Sequence, residues 1–453
     1  MHLIWENLIK NLVLHWTGEF KGLGEGSGSY ILENSAWKAV GIATAASGST
    51  IPSAFGSRVP NIVTDATLCT ADMWSFWTLY LGPALLRRRF RKPKYFKHFV
   101  QLVRLLTTCL QYEISKEEIS DLRTGFIQWV QGYEEMYYQF SAARLSACPL
   151  TIHALLHIAD SIEMCGPVWC YWAFPMERYC GKLHPALRSR RFPYAALDRF
   201  VLEDAQLTQI KLISGLTDEL SLRTPKQLMP GVFHHPSYKD FILLPACRTG
   251  ELTPGLMTGI ISAIATRINS SNTQTIRKYV NSAAIEQWAK VRCIDSEEGD
   301  TMWASSLKSG QDDSRDATFV RYQMLVDINE RHRRQETTLE LQTFYGQLQH
   351  IIVLKFQDPL ARCALGFAAS DLDTDVIILA AIRECTLGPS NPSLHGLDVH
   401  FYSTMGARRV VDLTCVQCVV GRVPVMDDEW DWAIIDRSGS LVRAVQAMDG
   451  VNS

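Results

Sequence analysis

Charge of one sign is missing from this chain: 45 Lys and Arg stand against 47 Asp and Glu in 453 residues, a net charge of -2. Global basicity therefore does not advertise nucleic acid as a partner, and any such contact has to come from a local patch. Long apolar runs are missing as well. No stretch approaches the ~18 residues of a membrane span, and LMTGIISAIA is far too short. The opening MHLIWENLIKNLVLHW is interrupted by Glu6 and Lys10 where a secretory signal needs an unbroken apolar core. Hydrophobic residues at 47% and charged residues at 20% exclude a wholly disordered, collagen-like or coiled-coil protein. No internal repeat is present. Gly22, Gly24, Gly26 and Gly28 lack the following Lys and Ser/Thr of a phosphate-cradling loop, since Ser29 and Tyr30 stand there.

What the chain does have is 12 Trp and 12 Cys. The cysteines are scattered through apolar stretches without a secretory signal, which points to reduced, buried thiols in a soluble intracellular protein. The length implies more than one structural unit. Leu3, Ile4, Leu8, Leu12 and Leu14 recur at helical spacing. Residues 47–64 are rich in Ser, Pro and Gly and read as a long connection. Helical patterns return at 67–86, 94–112, 115–140 and 150–164, Pro175 opens another helix, and 196–221 suit one more. Past residue 222, Pro225, Pro230, Pro236, Pro245 and Pro254 break the chain into short pieces. The acidic, polar stretch 294–317 reads as an exposed linker. From 340 onward, β-branched and aromatic runs such as VIILAAI, LDVHFYS and WAIIDR predict strands. The expected plan is an α+β chain: a mostly α-helical region 1–222, an irregular or helical connection 223–339, a small β-rich module 340–440 and a tail 441–453.

Three stretches carry chemistry. Residues 85–104, LLRRRFRKPKYFKHFVQLVR, hold eight Lys and Arg and no acid. Arg87, Arg88, Arg89, Arg91, Lys92, Lys94 and Lys97 lie close together, with Phe90, Tyr95 and Phe96 interleaved. Cations that neutralise phosphates release counterions and aromatics stack on bases, so the run suits a nucleic-acid backbone. The alternative is a solvated turn between helices, its charges opposed by acids such as Glu117 and Glu118. In CGPVWCYWAFPMERY, residues 165–179, five aromatics surround the single acid Glu177. Such surroundings raise a carboxyl pKa or frame a metal ligand; alternatively Glu177 simply complements the helix dipole in the first turn after Pro175. His153 and His157 in TIHALLHIAD share a helix face and could grip a metal, but Ala154 stands where the zinc-protease pattern needs Glu, which leaves a buried or capping pair as the other reading. Cys415 and Cys418 form a lone C-x-x-C and read as core.

Several of these blocks together resemble one family. HLIWEN at 2–7, TIHALLHIADSI from Thr151 and CGPV…W…FPMERY look like the C-terminal part of CACTA (En/Spm-type) DNA transposases of the kind abundant in fungal genomes. LSACPL, RRRF, RSRRFPYAALDRF, FYGQLQHIIVLKF and VVDLTCVQCVVGRV…WAIIDRSG are similar to blocks of those proteins. The resemblance extends over most of 1–440 and is weakest across 265–335. It implies an RNase H-like core in which three carboxylates hold two divalent metals, Mg²⁺ or Mn²⁺, for in-line attack on phosphodiesters. Met1 and His2 match the last two positions of a D-x-M-H motif, and Glu177 matches the final acid. The segment between them matches a helical insertion. The motif's Asp and both early catalytic aspartates lie upstream of what the chain contains.

The resemblance therefore implies a truncated, transposon-derived protein of the nucleus. Its first half would be the helical insertion and last helix of the core. It would be catalytically incomplete alone, need no cofactor in this form, contact DNA but no membrane, and assemble as an oligomer or with a full-length transposase. A domesticated nucleic-acid-binding or scaffold protein is the alternative, and a metal-dependent hydrolase built on His153, His157 and Glu177 is a third.

Overall fold

Helical periodicity is obeyed closely through the first half. A π-helical turn, His2–Leu8, runs into the helix Ile9–Thr17. Ala71–Phe76 continues through Trp77–Leu81 to Gly82–Leu85. Pro93–Cys109 and Lys116–Tyr133 follow. Three short pieces, Leu150–Ala154, Leu155–His157 and Ile158–Cys165, then follow one another. Phe174–Leu183 and Pro193–Ile213 end the helical part. Local chemistry sets the starts. Thr70 accepts from the Met73 N–H at 3.3 Å. Ser115 and Glu118 form a reciprocal capping box, at 3.1 and 2.8 Å. Prolines open three of the later helices, where their missing N–H costs nothing. Asn34–Ser47 had no sequence signal, because its Ala, Ser, Thr and Gly give little contrast between faces.

This computed structural model describes residues 2–23, 28–187, 191–217, 219–220, 231–250, 252–294, 300–307, 315–329, 338–366, 375–389, 391–425 and 429–438. Met1, the boundary at 222–223, Lys308 and the tail 441–453 lie outside them. Among the described residues no helix is long and apolar enough to cross a membrane.

The sheet starts at Phe241, well ahead of the expected 340. Its strands are β1 (Phe241–Thr249), β2 (Ala284–Cys293), β3 (Thr301–Trp303), β4 (Phe319–Asp327), β5 (Leu339–Phe356), β6 (Asp375–Leu387), β7 (Val399–Asp412), β8 (Val416–Val419), β9 (Gly421–Pro424) and β10 (Trp432–Ile435). Prolines hid the first of these. Pro245 sits where the β1–β2 register shifts, between Leu244 and Cys247, on an outer strand whose other side carries an isolated bridge from Leu243 to Phe233, and a missing donor is tolerated at such a shift. The helices Pro254–Arg267 and Thr273–Ser282 lie between β1 and β2 in sequence. All pairings are antiparallel, in the order β1-β2-β5-β6-β7-β10-β9. β4 pairs with β5 and with β8. Because β8 and β9 are separated only by Val420, whose N–H donates to Phe319 O at 2.9 Å, the pairings β4-β5-β6-β7-β10-β9/β8 return to β4. The curled sheet closes on itself.

Three apolar clusters follow from this closure. Phe319, Tyr345, Cys385, Tyr402, Val420 and Ile434, contributed around the ring, fill its interior. Leu256, Ile260 and Ile264 with Ile276 and Val280 cover Ile352, Leu354, Ile377 and Leu379 on one sheet face. The opposite face shares a single core with the helical half, from Trp16, Trp77 and Phe99 to Ile351, Ile378 and Val423. The stretch expected to be an exposed linker is built into this body where it is described. Met302 is fully buried, Arg315 donates to Gly56 O at 2.6 Å, and Asp316 pairs with Arg422 at 2.8 Å. For Arg315 and Asp316, polarity reflects partners distant in sequence rather than solvent.

A buried polar network stiffens the helical core. The Tyr133 hydroxyl donates to Ala147 O at 2.8 Å, so His15 Nε2–H must donate to Tyr133, also at 2.8 Å. Arg144, buried, donates to Tyr30 Oη and Tyr137 O at 2.7 and 2.8 Å. His98 stacks on Trp129 at 4.4 Å and exchanges two hydrogen bonds with its backbone and ring. Burial pulls the His15 pKa from 6.5 down to about 3, and that of His98 to about 4. Both folded values lie below the unfolded one, so their contribution is complete above pH 6.5 and is lost as the pH falls toward 4. Urea unfolding should show this as a loss of up to about 1.4 kcal/mol per pH unit for each histidine below about pH 6.5. His98→Phe should make the dependence shallower, and unchanged stability from about pH 6.5 to 4.5 would contradict the burial of neutral imidazoles.

Candidate functional site

Two residues singled out on opposite sides of the helical region meet. His2 Nε2, on the opening π-turn, lies 3.1 Å from Glu177 Oε1 on the Phe174–Leu183 helix. His2 Nδ1 faces Glu6 Oε2 at 2.5 Å. The imidazole thus stands between two carboxylates, which approach its opposite nitrogens and do not converge on a common point. Hard divalent cations want several oxygens around one centre. Glu177 is about half exposed, at 47%. The aromatic enclosure expected around it is not formed: Trp169, Tyr171 and Tyr179 are themselves exposed, and the Trp169 indole donates to Tyr112 O at 3.2 Å.

His153 and His157 face each other, with their Nε2 atoms 3.1 Å apart, on the exposed side of their helix. One donates and the other accepts. Among the described residues no three His, Cys, Asp or Glu side chains are grouped to hold a metal ion. The donor sets of His2, Glu6 and Glu177 and of the histidine pair therefore do not fit Mg²⁺ or Mn²⁺, and no metal-dependent step is derived through them. Cys418 faces the ring interior, as expected of core, and burial pushes its thiol pKa up.

The basic run divides in two. Arg87 is buried, with its guanidinium on Glu429 and 5.0 Å over the Phe401 ring, joining the helical half to β7 and the turn before β10. Arg88, exposed and with a left-handed φ of 57°, reaches the same Glu429 at 2.9 Å. Arg89 is partly covered. Arg91 makes a solvent-facing pair with Glu33 at 3.2 Å, the kind of contact that holds weakly. Lys92, Lys94 and Lys97 are exposed and pair with no carboxylate among the described residues. They surround the start of Pro93–Cys109, a helix with no acid in its first turn and no side-chain cap. Glu117 and Glu118 do not oppose them; Glu118 is engaged in its capping box. Phe90, Tyr95 and Phe96 are buried in the core and offer no face for stacking on bases.

One polar cluster had no motif to announce it. At the end of the ring the Tyr345 hydroxyl donates to Asp436 Oδ2 at 2.8 Å, so His400 Nε2, 3.2 Å from Tyr345 Oη, donates to that hydroxyl. Arg321 reaches Asp436 at 3.3 Å, and the Asp436 side chain is only 1% exposed. Burial, then the Asp436 charge, raises the Asp398 pKa; burial lowers that of His400 against the pull of both acids. The available signal was a polar residue at an inward position of an otherwise apolar strand, as in LDVHFYS and WAIIDR. No family model, no curated protein and no solved structure matches the chain.

The two halves of the basic run should respond differently to mutation. Arg87→Ala removes a buried charged hydrogen bond and should lower unfolding stability by about 1.5–3 kcal/mol. Ala at Lys92, Lys94 or Lys97 should change it by less than about 0.5 kcal/mol. Thermal melts of the single variants compare the two directly.

Proposed function

We propose that this chain is a CACTA-transposase-derived protein that holds DNA through its phosphate backbone and does not cut it unaided. The observation that carries the reading is the cationic start of Pro93–Cys109. Arg88, Arg91, Lys92, Lys94 and Lys97 are exposed there, at the end of a helix whose dipole disfavours cations. Such an arrangement is unfavourable by itself and favourable once an anion is bound, since backbone N–H groups and side chains then act on the same phosphate. The contact of His2 with Glu177, the two residues matched to widely separated motifs of the family, supports the family reading. An RNase H-like last helix at Phe174–Leu183, a nuclear location and assembly with a full-length transposase belong to the same proposal.

Binding of a B-form duplex should be largely indifferent to sequence, because phosphate contacts position a protein without reading bases. With about five phosphates engaged, log K should fall against log[salt] with a slope near -4.5. K92A/K94A/K97A should flatten that slope by about 2.7 while leaving circular dichroism unchanged; a triple variant that binds as well as the parent removes the run's claim. Purified protein with Mg²⁺ or Mn²⁺ should not nick DNA. Metal-dependent nicking that disappears in Glu177→Gln would overturn the noncatalytic part of the reading.

A further inference from the structure

The ladder between β6 and β7 places Arg383 directly opposite Arg408. Cross-strand partners in an antiparallel pair project to the same face with their Cβ atoms about 4.5–5.5 Å apart, and like charges in that position repel. A neighbouring carboxylate would ordinarily relieve the repulsion. Here Glu384, the nearest acid in sequence, points to the other face and pairs with Arg409 at 2.6 Å. Among the described residues, no carboxylate pairs with either arginine. Gln347 is the β5 partner of Arg383, and His350 feels the Arg408 charge.

Each guanidinium contacts the other described residues through its Nε alone, firmly for Arg408 and loosely for Arg383. Arg383 Nε donates to Gly406 O at 3.5 Å, and Arg408 Nε donates to Gln349 Oε1 at 2.7 Å. The anchor of Arg408 depends on an irregularity: the β5–β6 register shifts between Leu348 and His350, so Gln349 is the extra residue of a bulge. Both arginines are exposed. Their terminal Nη groups have no partner among the described residues, although guanidinium forks are suited to two-point contact with oxyanions. Two forks on adjacent strands, with no counter-charge among the described residues, are arranged for an anion with several oxygens.

We propose that Arg383 and Arg408 form a phosphate-binding site on the β6–β7 ladder, separate from the basic run at 88–97. The ligand chemistry is a phosphate group, carried either by a free phosphate or by the backbone of a nucleic acid. The site stands without the DNA reading above, since it draws on different residues and on an independent observation.

The test compares the full chain with R383Q, R408Q and R383Q/R408Q in low-salt buffer, by thermal melting with and without inorganic phosphate and by binding of a short DNA duplex. In phosphate-free buffer each single variant should melt above the parent, because one of the two opposed charges is gone. Phosphate in the millimolar range should raise the parent's melting temperature by several degrees and leave the double variant unmoved. That result identifies free phosphate as a sufficient ligand. If phosphate has no effect but the double variant loses duplex affinity and flattens the salt slope by about 1.8, the phosphate is that of a nucleic acid. K92A/K94A/K97A keeps the arginine pair, so a failure of the basic run is read separately from a failure here. The proposal is overturned if the double variant responds to phosphate as the parent does, or if neither phosphate nor duplex distinguishes the two proteins.

Discussion

The closed ring of the β-rich part depends on how the segment 416–424 is shared. Its first half pairs with β4 and its second half with β10, and Arg422 crosses the seam between them. The guanidinium lies 3.6 Å over the Phe319 ring of β4 and 4.4 Å over the Trp432 ring of β10. It also pairs with Asp316 and donates to Tyr402 Oη at 3.0 Å. A planar cation can satisfy two rings and two oxygens at once; an ammonium cannot. Closing the sheet here removes two strand edges, creates an interior, and gives each long strand one face for the ring and one for the helices.

The same segment ties the sheet to the helical half. Thr50 Oγ1 donates to Arg422 O at 2.5 Å, the Arg422 N–H donates back to Thr50 O at 3.1 Å, and the Asp316 N–H donates to Ser49 O at 2.8 Å. Arg104 reaches Ser393 O at 3.3 Å from the helical side. With Arg87 held on Glu429 and Phe401, the junction combines backbone pairing, buried charge and a shared apolar core. The cationic run is thereby divided. Its first member faces inward as a brace, while the lysines a few residues on face water at the mouth of a helix.

Charge in this protein is informative where it is left uncompensated. Arg422, Arg321 and Arg144 are cations with acids or hydroxyls arranged around them, and their roles are structural. Lys92, Lys94, Lys97, Arg383 and Arg408 show the opposite pattern, at a helix start and across a strand pair where cations are least welcome.

The sequence by itself determined most helices of the first half, Asn34–Ser47 excepted, because a 3.6-residue repeat and capping residues such as Ser115 act over a few positions. It also identified the late strands from their β-branched composition and the basic run, and it singled out His2 and Glu177 separately, while their contact came only from the structure. What it could not decide was anything set by partners distant along the chain. Pro245 made an edge strand look like a breaker, and the polar residues of 294–317 looked solvated although Asp316 and Arg315 are spent on Arg422 and Gly56. Which arginines of 87–91 face inward depended on where Glu429 lies. The opposition of Arg383 to Arg408 depended on a strand register shaped by bulges at both of the neighbouring ladders. A linear pattern records what each residue prefers, whereas ring closure, register and the distribution of counter-charges arise only when segments hundreds of residues apart are brought into contact.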